Sequence, residues 1–388
     1  MYIVLGRTDP MGSGFETSSS RAPRRRDYRA LIAVLAIQTF ANQMAGSFWL
    51  VYLVSPPQSL PFAVAVLVWV IGFGIAACTV LVVARGQPNR ATPTMTMGLS
   101  IMALGHVAFA TLPPLWGMVI GGLCFGLYIP LFWLPLNSLI VSETNVANRA
   151  GRLAGITATF AITGVLGPIL GGLIAASAGY RLVFALSAAI VAANLVAVRG
   201  LAQVDEVHSY SVDFRRIGRR TALAFTGQGG VDGLASAATP LGSFLFTSAS
   251  LELGLLFALF SLAAGVAAVV LGRVSDRVRA RTPFLLLGPV LSVPACLLAF
   301  LVRDLGTFAF AIGWFSMTSA VAPSFIYTIL VDRSEADVPA VTATRELVLN
   351  VSRTVALLGG LVVLASGGDV YSLYLLIGGV ILLEALAR

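Results

Sequence analysis

Twelve apolar segments, each near the roughly 20 residues that a helix needs to cross a bilayer, run along this chain of 388 residues. Turn-forming residues separate them, and a lipid-exposed backbone must satisfy its hydrogen bonds within each segment, so each segment is predicted to be a helix. The sequence therefore predicts an all-α polytopic membrane protein with twelve transmembrane helices. The predicted bounds are about 29–54, 60–84, 94–112, 115–141, 153–177, 181–200, 219–247, 251–271, 283–301, 307–331, 341–365 and 371–387.

The low charge of the chain excludes a soluble globular protein. Charged residues make up 11% of the chain and hydrophobic residues 57%, with a mean hydropathy of +0.91, whereas soluble domains are about 25% charged. The sequence has two histidines, His106 and His208, and neither a His-Glu-x-x-His zinc motif nor a phosphate-binding Gly-x-x-x-x-Gly-Lys loop. We therefore expect no enzyme activity, no metal or other cofactor, and no direct use of ATP.

The arginines set the predicted orientation in the membrane. All 25 basic residues are arginine, and 22 of them lie in the two tails and in alternate loops, while the opposite loops hold Arg181 and Arg303. By the positive-inside rule, both termini are cytoplasmic and the protein lies in the cell inner membrane. The net charge of +8 follows from this bias, so no nucleic-acid partner is expected. Residues 1–28 are polar and are predicted to be a disordered cytoplasmic tail, not a cleaved signal peptide.

The two halves of the chain repeat at an offset of 190 residues. The matching pairs include Gln38 with Gln228, Asn42 with Asp232, and Gly98 with Gly288. One offset that serves several regions indicates a repeated six-helix unit, as in many secondary transporters. We predict an N-terminal half at 29–200, a cytoplasmic linker at 201–218 and a C-terminal half at 219–388.

Two motifs resemble those of the major facilitator superfamily. The loop between predicted helices 8 and 9, Gly272-Arg273-Val274-Ser275-Asp276-Arg277-Val278-Arg279-Ala280-Arg281, is similar to the superfamily's Gly-x-x-x-Asp-Arg-x-Gly-Arg-Arg signature. Predicted helix 5 is similar to a glycine-rich motif of the superfamily's exporters, through Gly164, Gly167, Pro168, Gly171 and Gly172. The resemblance covers all twelve helices and implies transport of a small molecule by alternating access.

The resemblance also implies a gate on the cytoplasmic side. Helix 8 packs against helix 5 in that superfamily, so Asp276 is expected beside the N-terminus of helix 5, where the free N–H groups favour a carboxylate. Gly86, at the corresponding position after helix 2, offers no carboxylate, so the two sides are expected to be latched unequally. The expected gating residues are Gly272, Asp276, Arg277, Arg281, Arg149 and Arg152.

An acidic residue lies near the middle of predicted helix 7. Asp232 is at a depth similar to that of Arg353 in predicted helix 11. A carboxylate near the bilayer midplane is costly unless it is paired or hydrated, so it indicates a functional cavity. We interpret Asp232 as the site of a coupling proton or a cationic substrate, with Arg353 as its partner. A purely structural ion pair is the alternative.

Polar and aromatic residues are expected around the same cavity. Gln38 and Asn42 are one helical turn apart, as are Gln228 and Asp232, so each pair shares a helix face. Helices 1 and 7 line the central cavity in the resembled superfamily, which implies a polar ring there; hydrogen bonding between packed helices is the alternative. Aromatic residues on predicted helices 4 and 10 suit an apolar or aromatic substrate, or serve packing alone. They are Tyr128, Phe132 and Trp133 on helix 4, and Trp314, Phe315 and Tyr327 on helix 10.

The sequence favours a secondary active transporter that exports a small amphipathic or drug-like molecule. Proton antiport is left open, because predicted helix 4 lacks the arginine that the superfamily's proton-coupled exporters place there. An importer or facilitator of a small metabolite is the first alternative, and a receptor or scaffold that does not transport is the second. We expect a monomer that contacts lipid, a small-molecule substrate and, where transport is coupled, protons.

Overall fold

Twelve long helical segments make up the part of the chain that the computed structural model describes, which is residues 25–142, 149–201, 206–278, 282–323, 326 and 338–386. Side chains are not described for 25–27, 141–142, 149–154, 271–278, 282–284 and 338. The helices are α1 (Arg25–Gly46, resuming as Trp49–Val54), α2 (Phe62–Val83), α3 (Ala91–Thr111), α4 (Pro114–Ser142), α5 (Arg149–Ala178), α6 (Tyr180–Arg199), α7 (Arg219–Phe246), α8 (Ser250–Val278), α9 (Thr282–Leu301), α10 (Leu305–Ser319), α11 (Val338–Ala365) and α12 (Ser372–Val380, continuing as the 3-10 helix Ile381–Leu386).

These helices correspond to the twelve predicted segments. Within the described residues, nine are long and apolar enough to cross a membrane, and α9 and α12 contribute shorter apolar helices. Helix α7 is less apolar than these because it carries glycine, serine, glutamine and aspartate, and most of its residues are buried inside the bundle. The chain is an all-α polytopic membrane protein, as the sequence predicted. Several bounds differ from the prediction. Helix α1 begins at Arg25, inside the predicted tail, and is interrupted at Ser47 and Phe48, while α8 continues to Val278 and α10 ends at Ser319.

The packing of the helices has a two-fold repeat. In the first half, α1 packs on α5 and α6, α3 packs on α4 and α6, and α2 packs on α4. The second half repeats each contact six helices later: α7 packs on α11 and α12, α9 on α10 and α12, and α8 on α10. The halves meet through α2 with α11 and through α5 with α8, which are again equivalent contacts.

Two glycines that match at the 190-residue offset, Gly98 and Gly288, lie at equivalent helix contacts in the two halves. A side chain at Gly98 on α3 would collide with Leu131 and Phe132 of α4. A Cβ at Gly288 on α9 would lie 2.9 Å from the carbonyl oxygen of Thr318 and against Val321 and Ala322, which are 190 positions after Leu131 and Phe132. Both glycines allow the same close approach of two helices. The sequence match therefore corresponds to a repeated contact in three dimensions.

A two-stranded antiparallel ribbon joins the loop after α2 to the linker between the halves. Strand β1 (Arg85–Arg90) pairs with β2 (Val207–Ser211), with Asn89 opposite His208. The sequence predicted turn-forming residues in the first segment and a cytoplasmic linker in the second, and it did not predict their pairing. Strands this short and this far apart in sequence carry no periodicity that indicates their pairing.

The linker also contacts both halves of the bundle. Tyr210 is buried, and its hydroxyl group donates to Oγ of Ser138 on α4 at 3.4 Å. The backbone N–H of Asp213, at the start of the one-turn helix Phe214–Ile217, donates to Oγ1 of Thr344 on α11 at 2.8 Å. Burial raises the pKa of Tyr210 to about 12, so its side chain stays neutral over the physiological range. The linker is thus tied to α4 and to α11 by specific contacts.

Candidate functional site

An ion pair links α7 to α11 near the middle of both helices. Nη2 of Arg353 donates to Oδ2 of Asp232 at 2.9 Å, and Nη1 of Arg353 donates to Oδ1 of Asn350 at 3.1 Å. At about 1.5 Å per residue, Asp232 and Arg353 each lie some 20 Å from the start of their helices. The structure thus brings together the two charged residues that the sequence placed at matching depths.

Small residues on α7 create this contact. A side chain at Gly229 would collide with Leu349 and Ser352 of α11, and one at Gly233 would collide with the backbone of Arg353. Gly229 and Gly233 are one turn apart, so together they form a groove that admits the α11 backbone. This close approach positions the Arg353 side chain beside Asp232.

The ion pair is partly exposed, and Arg353 contacts the other half of the bundle. The side chain of Asp232 is 39% exposed and that of Arg353 is 17% exposed, although α7 is mostly buried. The guanidinium carbon of Arg353 lies 5.2 Å from the ring centroid of Phe73 on α2, a distance suited to a cation–π contact. Arg353 therefore touches a residue of each half.

The equivalent face of α1 holds an uncharged hydrogen-bonded chain. Nε2 of Gln38 donates to Oδ1 of Asn42 at 3.2 Å, and Nδ2 of Asn42 donates to the hydroxyl oxygen of Tyr128 on α4 at 3.1 Å. The Tyr128 ring stacks on Phe132, with centroids 5.3 Å apart, and both rings are fully buried. The predicted polar pair and the aromatic residues of α4 therefore meet in one cluster.

A cavity of about 200 Å³ opens next to this cluster, within the N-terminal half. Trp69, on its wall, stacks on Phe73 with centroids 5.8 Å apart, and Phe73 in turn lies under Arg353. The cavity and the ion pair are therefore connected through two adjacent aromatic rings. The lining residues are Asn42, Gln43, Gly46, Ser47, Trp49, Trp69, Met102 and Phe125.

The other predicted site residues lie apart from these contacts or outside the description. Gln228 is buried, and its side-chain oxygen has no hydrogen-bond partner within the described residues. The ring of Trp314 on α10 contacts that of Phe310, which is largely exposed. Among the described residues, no ring contact joins Trp314 to the cavity in the N-terminal half. Trp133 is the exception, because its ring lies edge-on to Phe132 of the cluster with centroids 5.3 Å apart and also stacks on Phe160 of α5. Phe315 is buried on α10. Tyr327 lies outside the described residues.

The predicted gating residues cannot be compared with the structure. Arg281 lies outside the described residues, and Arg149, Arg152, Gly272, Asp276 and Arg277 lie in helix segments whose side chains are outside the description. The gate on α5 and α8 stays a prediction. Gly86, the position after α2 that corresponds to Asp276, lies in β1 with a φ of 76°. Because β1 pairs with β2, the loop after α2 is bound to the linker.

The glycine-rich motif of α5 has two faces. Gly167 and Gly171 lie against Gln43, Met44 and Phe48 of α1, whereas Gly164 and Gly172 lie against Ser261, Ser250 and Gly254 of α8. The carbonyl of Pro168 lies close to Gly254 as well. The motif thus allows α5 to approach a helix of its own half and a helix of the other half, which is the close packing that its small residues indicated.

Several residues near the site were not singled out from the sequence. Glu384 on the last turn of α12 is 1% exposed, lies against Gly227 of α7, and neither carboxyl oxygen has a partner within the described residues. An acidic residue in an otherwise apolar segment is a signal from which the sequence could have identified Glu384. His106 is also buried, edge-on to Trp49 with ring centroids 5.8 Å apart, and neither ring nitrogen has a hydrogen-bond partner within the described residues. The described residues hold no group of three or more potential metal ligands.

The family profile described as Major Facilitator Superfamily matches residues 89–222 and 221–387. The chain belongs to the Major Facilitator Superfamily. The predicted resemblance to this superfamily is therefore confirmed, and the protein is a multi-pass membrane transporter. No curated protein sequence matches the chain.

Solved structures with the same fold include three transporters of the POT family, each 11% identical to this chain. One, in complex with 5-aminolevulinic acid, has a TM-score of 0.74 over 92% of this chain and 94% of its own. Another, in complex with a thioalcohol conjugated peptide, has a TM-score of 0.73 with the same coverage. A third, in complex with sulfate, has a TM-score of 0.71 over 93% of each chain. At this identity the likeness concerns the fold alone.

Proposed function

We propose that this protein is a secondary active transporter that exports a small amphipathic, drug-like molecule by alternating access. The observation that carries the proposal is the ion pair of Asp232 and Arg353, which lies midway along two helices, is partly exposed and contacts Phe73 of the other half. A charged pair at this depth is costly in a membrane and marks a substrate or ion path by default.

A second ion pair on α11 provides the contrast. Arg345 and Glu346 are adjacent, with Nη1 and Oε1 2.8 Å apart, and their side chains are 15% and 8% exposed. Arg345 also lies over the ring of Phe225 on α7, so the described contacts of this pair are within the C-terminal half. The Asp232 carboxylate is much more exposed than that of Glu346, so it is the one that a proton or a cationic substrate can reach.

The contacts of Arg353 suggest how binding is coupled to movement. Its guanidinium group is held by Asp232 within the C-terminal half and lies over Phe73 of the N-terminal half. When a proton or a cationic group neutralises Asp232, Arg353 loses its charged partner and keeps the hydrogen bond to Asn350, so its position over Phe73 is less constrained. The α2–α11 contact between the halves then changes, which shifts the population between the two access states.

Export is the direction that the glycine-rich motif of α5 favours, because that motif resembles one found in the superfamily's exporters. We propose further that the two transporting halves are residues 29–200 and 219–388, joined by the linker at 201–218. The protein acts as a monomer in the inner membrane with both termini in the cytoplasm, as the arginine distribution indicates. An importer or facilitator of a small metabolite is the second candidate.

Flux in vesicles of known orientation tests the proposal. A thermal-shift screen of amphipathic cations, anions and short peptides on the purified protein supplies the ligand, since a ligand stabilises the state that it binds. We expect that ligand to accumulate in inside-out vesicles under an imposed proton gradient. Accumulation only in right-side-out vesicles would establish import instead, and no flux of any stabilising ligand in either orientation would contradict transport.

A further inference from the structure

The linker between the halves packs into the contact between α2 and α11. Val212 lies against an apolar cluster that contains Ala77 and Val80 of α2. Leu347 of α11 belongs to the same cluster. Strand β2, just before Val212, also lies against α11. The segment that joins the two halves in sequence therefore also packs where the two halves meet.

Tyr210 is the second linker side chain at this contact. It is 1% exposed and packs in an apolar cluster with Leu134 of α4 and Ala343 of α11. Val83 and Ala84, at the end of α2, lie against the same cluster. A buried aromatic ring contributes a large apolar area to the elements that it joins, and here those elements belong to both halves.

These linker contacts continue the line of contacts that begins at the ion pair. On α11, Leu347 precedes Arg353 by about 9 Å along the helix, at 1.5 Å per residue. On α2, Ala77 follows Phe73 by about 6 Å. The Arg353–Phe73 contact and the Val212 cluster are thus successive contacts between the same two helices. A movement that separates α2 from α11 on the side of the linker must also remove the linker from one of them.

The chain on the two sides of Val212 is held by different halves. Before it, β2 is paired with β1, and the Tyr210 hydroxyl group donates to Oγ of Ser138 on α4. After it, Ile217 packs in a core cluster of the C-terminal half. When the halves separate, the strand is therefore expected to stay with the N-terminal half and the one-turn helix Phe214–Ile217 with the C-terminal half.

We propose that Tyr210 and Val212 form a plug that closes the transport pathway on the cytoplasmic side and leaves α11 when that side opens. The inference rests on the proposed transport function, because it takes the two halves to alternate between access states. The arginine distribution assigns the linker side to the cytoplasm. The plug contacts α11 in the closed state alone, so its removal should shift the population toward the state that is open to the cytoplasm.

The direct test measures two distances by pulsed electron paramagnetic resonance on the full chain in lipid nanodiscs. The three native cysteines are replaced by alanine, and spin labels are attached to cysteines introduced at exposed positions. Labels at Gln87 and Arg220 report the separation of the halves on the linker side. Labels at Ser209 and Arg220 report the separation of β2 from the C-terminal half. We expect both distances to be longer in the open state, because β1 and β2 move together.

Alanine substitutions of the plug should raise the open fraction, which is the fraction of molecules with the longer distance. Tyr210→Ala should raise it by about 3-fold or more and Val212→Ala by less, because the ring loses the larger apolar contact. Val212→Ala removes only two methyl groups, so it keeps the test valid if Tyr210→Ala fails to fold.

Two control variants separate the plug from other effects of substitution in the linker. Tyr210→Phe keeps the ring and removes only the hydrogen bond at 3.4 Å, so the open fraction should stay within about 2-fold of the wild type. Phe214→Ala is the matched control, because Phe214 is an aromatic residue of the same linker that is 54% exposed. It should leave the open fraction unchanged.

Either of two results would overturn the plug. The first is an open fraction that is the same in the wild type, Tyr210→Ala and Val212→Ala. The second is a Ser209–Arg220 distance that stays constant while the Gln87–Arg220 distance lengthens, because the strand would then move with the C-terminal half.

The experiment separates this inference from the proposed function, since the distances need neither a ligand nor flux. If Asp232→Asn loses gradient-driven flux and Tyr210→Ala keeps the wild-type distances, the proposed function stands and the plug fails. If the distances change as expected in a protein that transports no stabilising ligand, the proposed function fails and the conformational role of the linker stands.

Discussion

The facing helices α1 and α7 occupy equivalent positions in the two halves but carry different chemistry. Gln38 and Asn42 on α1 form a neutral hydrogen-bonded chain that ends on Tyr128, whereas Asp232 on α7 forms an ion pair with Arg353. The helix contacts around them are the same in both halves. A repeated scaffold has therefore kept its packing while the charged groups are concentrated in the C-terminal half.

This difference has a physical reason. A charge taken out of water is costly even when it is paired, so a bundle that needs one charged switch gains nothing by duplicating it. The N-terminal half has instead a cavity lined by uncharged residues, several of them aromatic. On this comparison we propose that the charge-sensitive steps of transport take place at α7 and α11.

The largest effect is expected from splitting the ion pair. Asp232→Asn or Arg353→Gln alone leaves one charge without its partner and should lower the free energy of unfolding by roughly 1–3 kcal/mol, less than for a fully buried pair because Asp232 is partly exposed. The double variant should lose less than the sum of the two, by about 1 kcal/mol or more. Thermal unfolding of the four proteins in detergent measures this cycle, and simple additivity would show that the two charges are not coupled.

A smaller effect is expected in the N-terminal half. Asn42→Leu removes two neutral hydrogen bonds, and neutral bonds between membrane helices contribute about 0.6 kcal/mol each on average, so the loss should be near 1 kcal/mol. Gln228→Leu is the matched control on α7, because the Gln228 side-chain oxygen has no partner within the described residues. If Asn42→Leu destabilised the protein as much as Arg353→Gln, the contrast between the halves would be lost.

The repeat and the ion pair could be predicted from sequence because each depends on residue type and depth alone. An acid and an arginine midway along apolar segments have few partners to choose from, and the 190-residue offset indicated which helices are equivalent. Gly229 and Gly233, which allow α7 and α11 to approach closely, belong to no family motif, unlike the glycines of α5. Their role depends on which face of α11 packs against α7, and the sequence alone does not predict that face.

The cavity and the ribbon could not be predicted in the same way. Trp49 lies after an interruption in α1 and meets Trp69 and Phe125 from two other helices, so the cavity depends on three helix rotations at once. The ribbon between 85–90 and 207–211 is a long-range pairing of short polar segments. It also changes the expectation of unequal latching. The loop after α2 lacks a carboxylate at Gly86, yet the linker ties that region to α11 through Asp213 and Thr344.

The measurement that tests the central claim most directly is gradient-driven flux in proteoliposomes for Asp232→Asn and Asn42→Leu, compared at equal folded yield. The account predicts that Asp232→Asn abolishes the response of flux to an imposed proton gradient. Asn42→Leu should reduce the apparent affinity for substrate by about 10-fold or less and keep that response. Gradient-driven flux in Asp232→Asn with an unchanged pH profile would contradict the assignment of charge-sensitive steps to the C-terminal half.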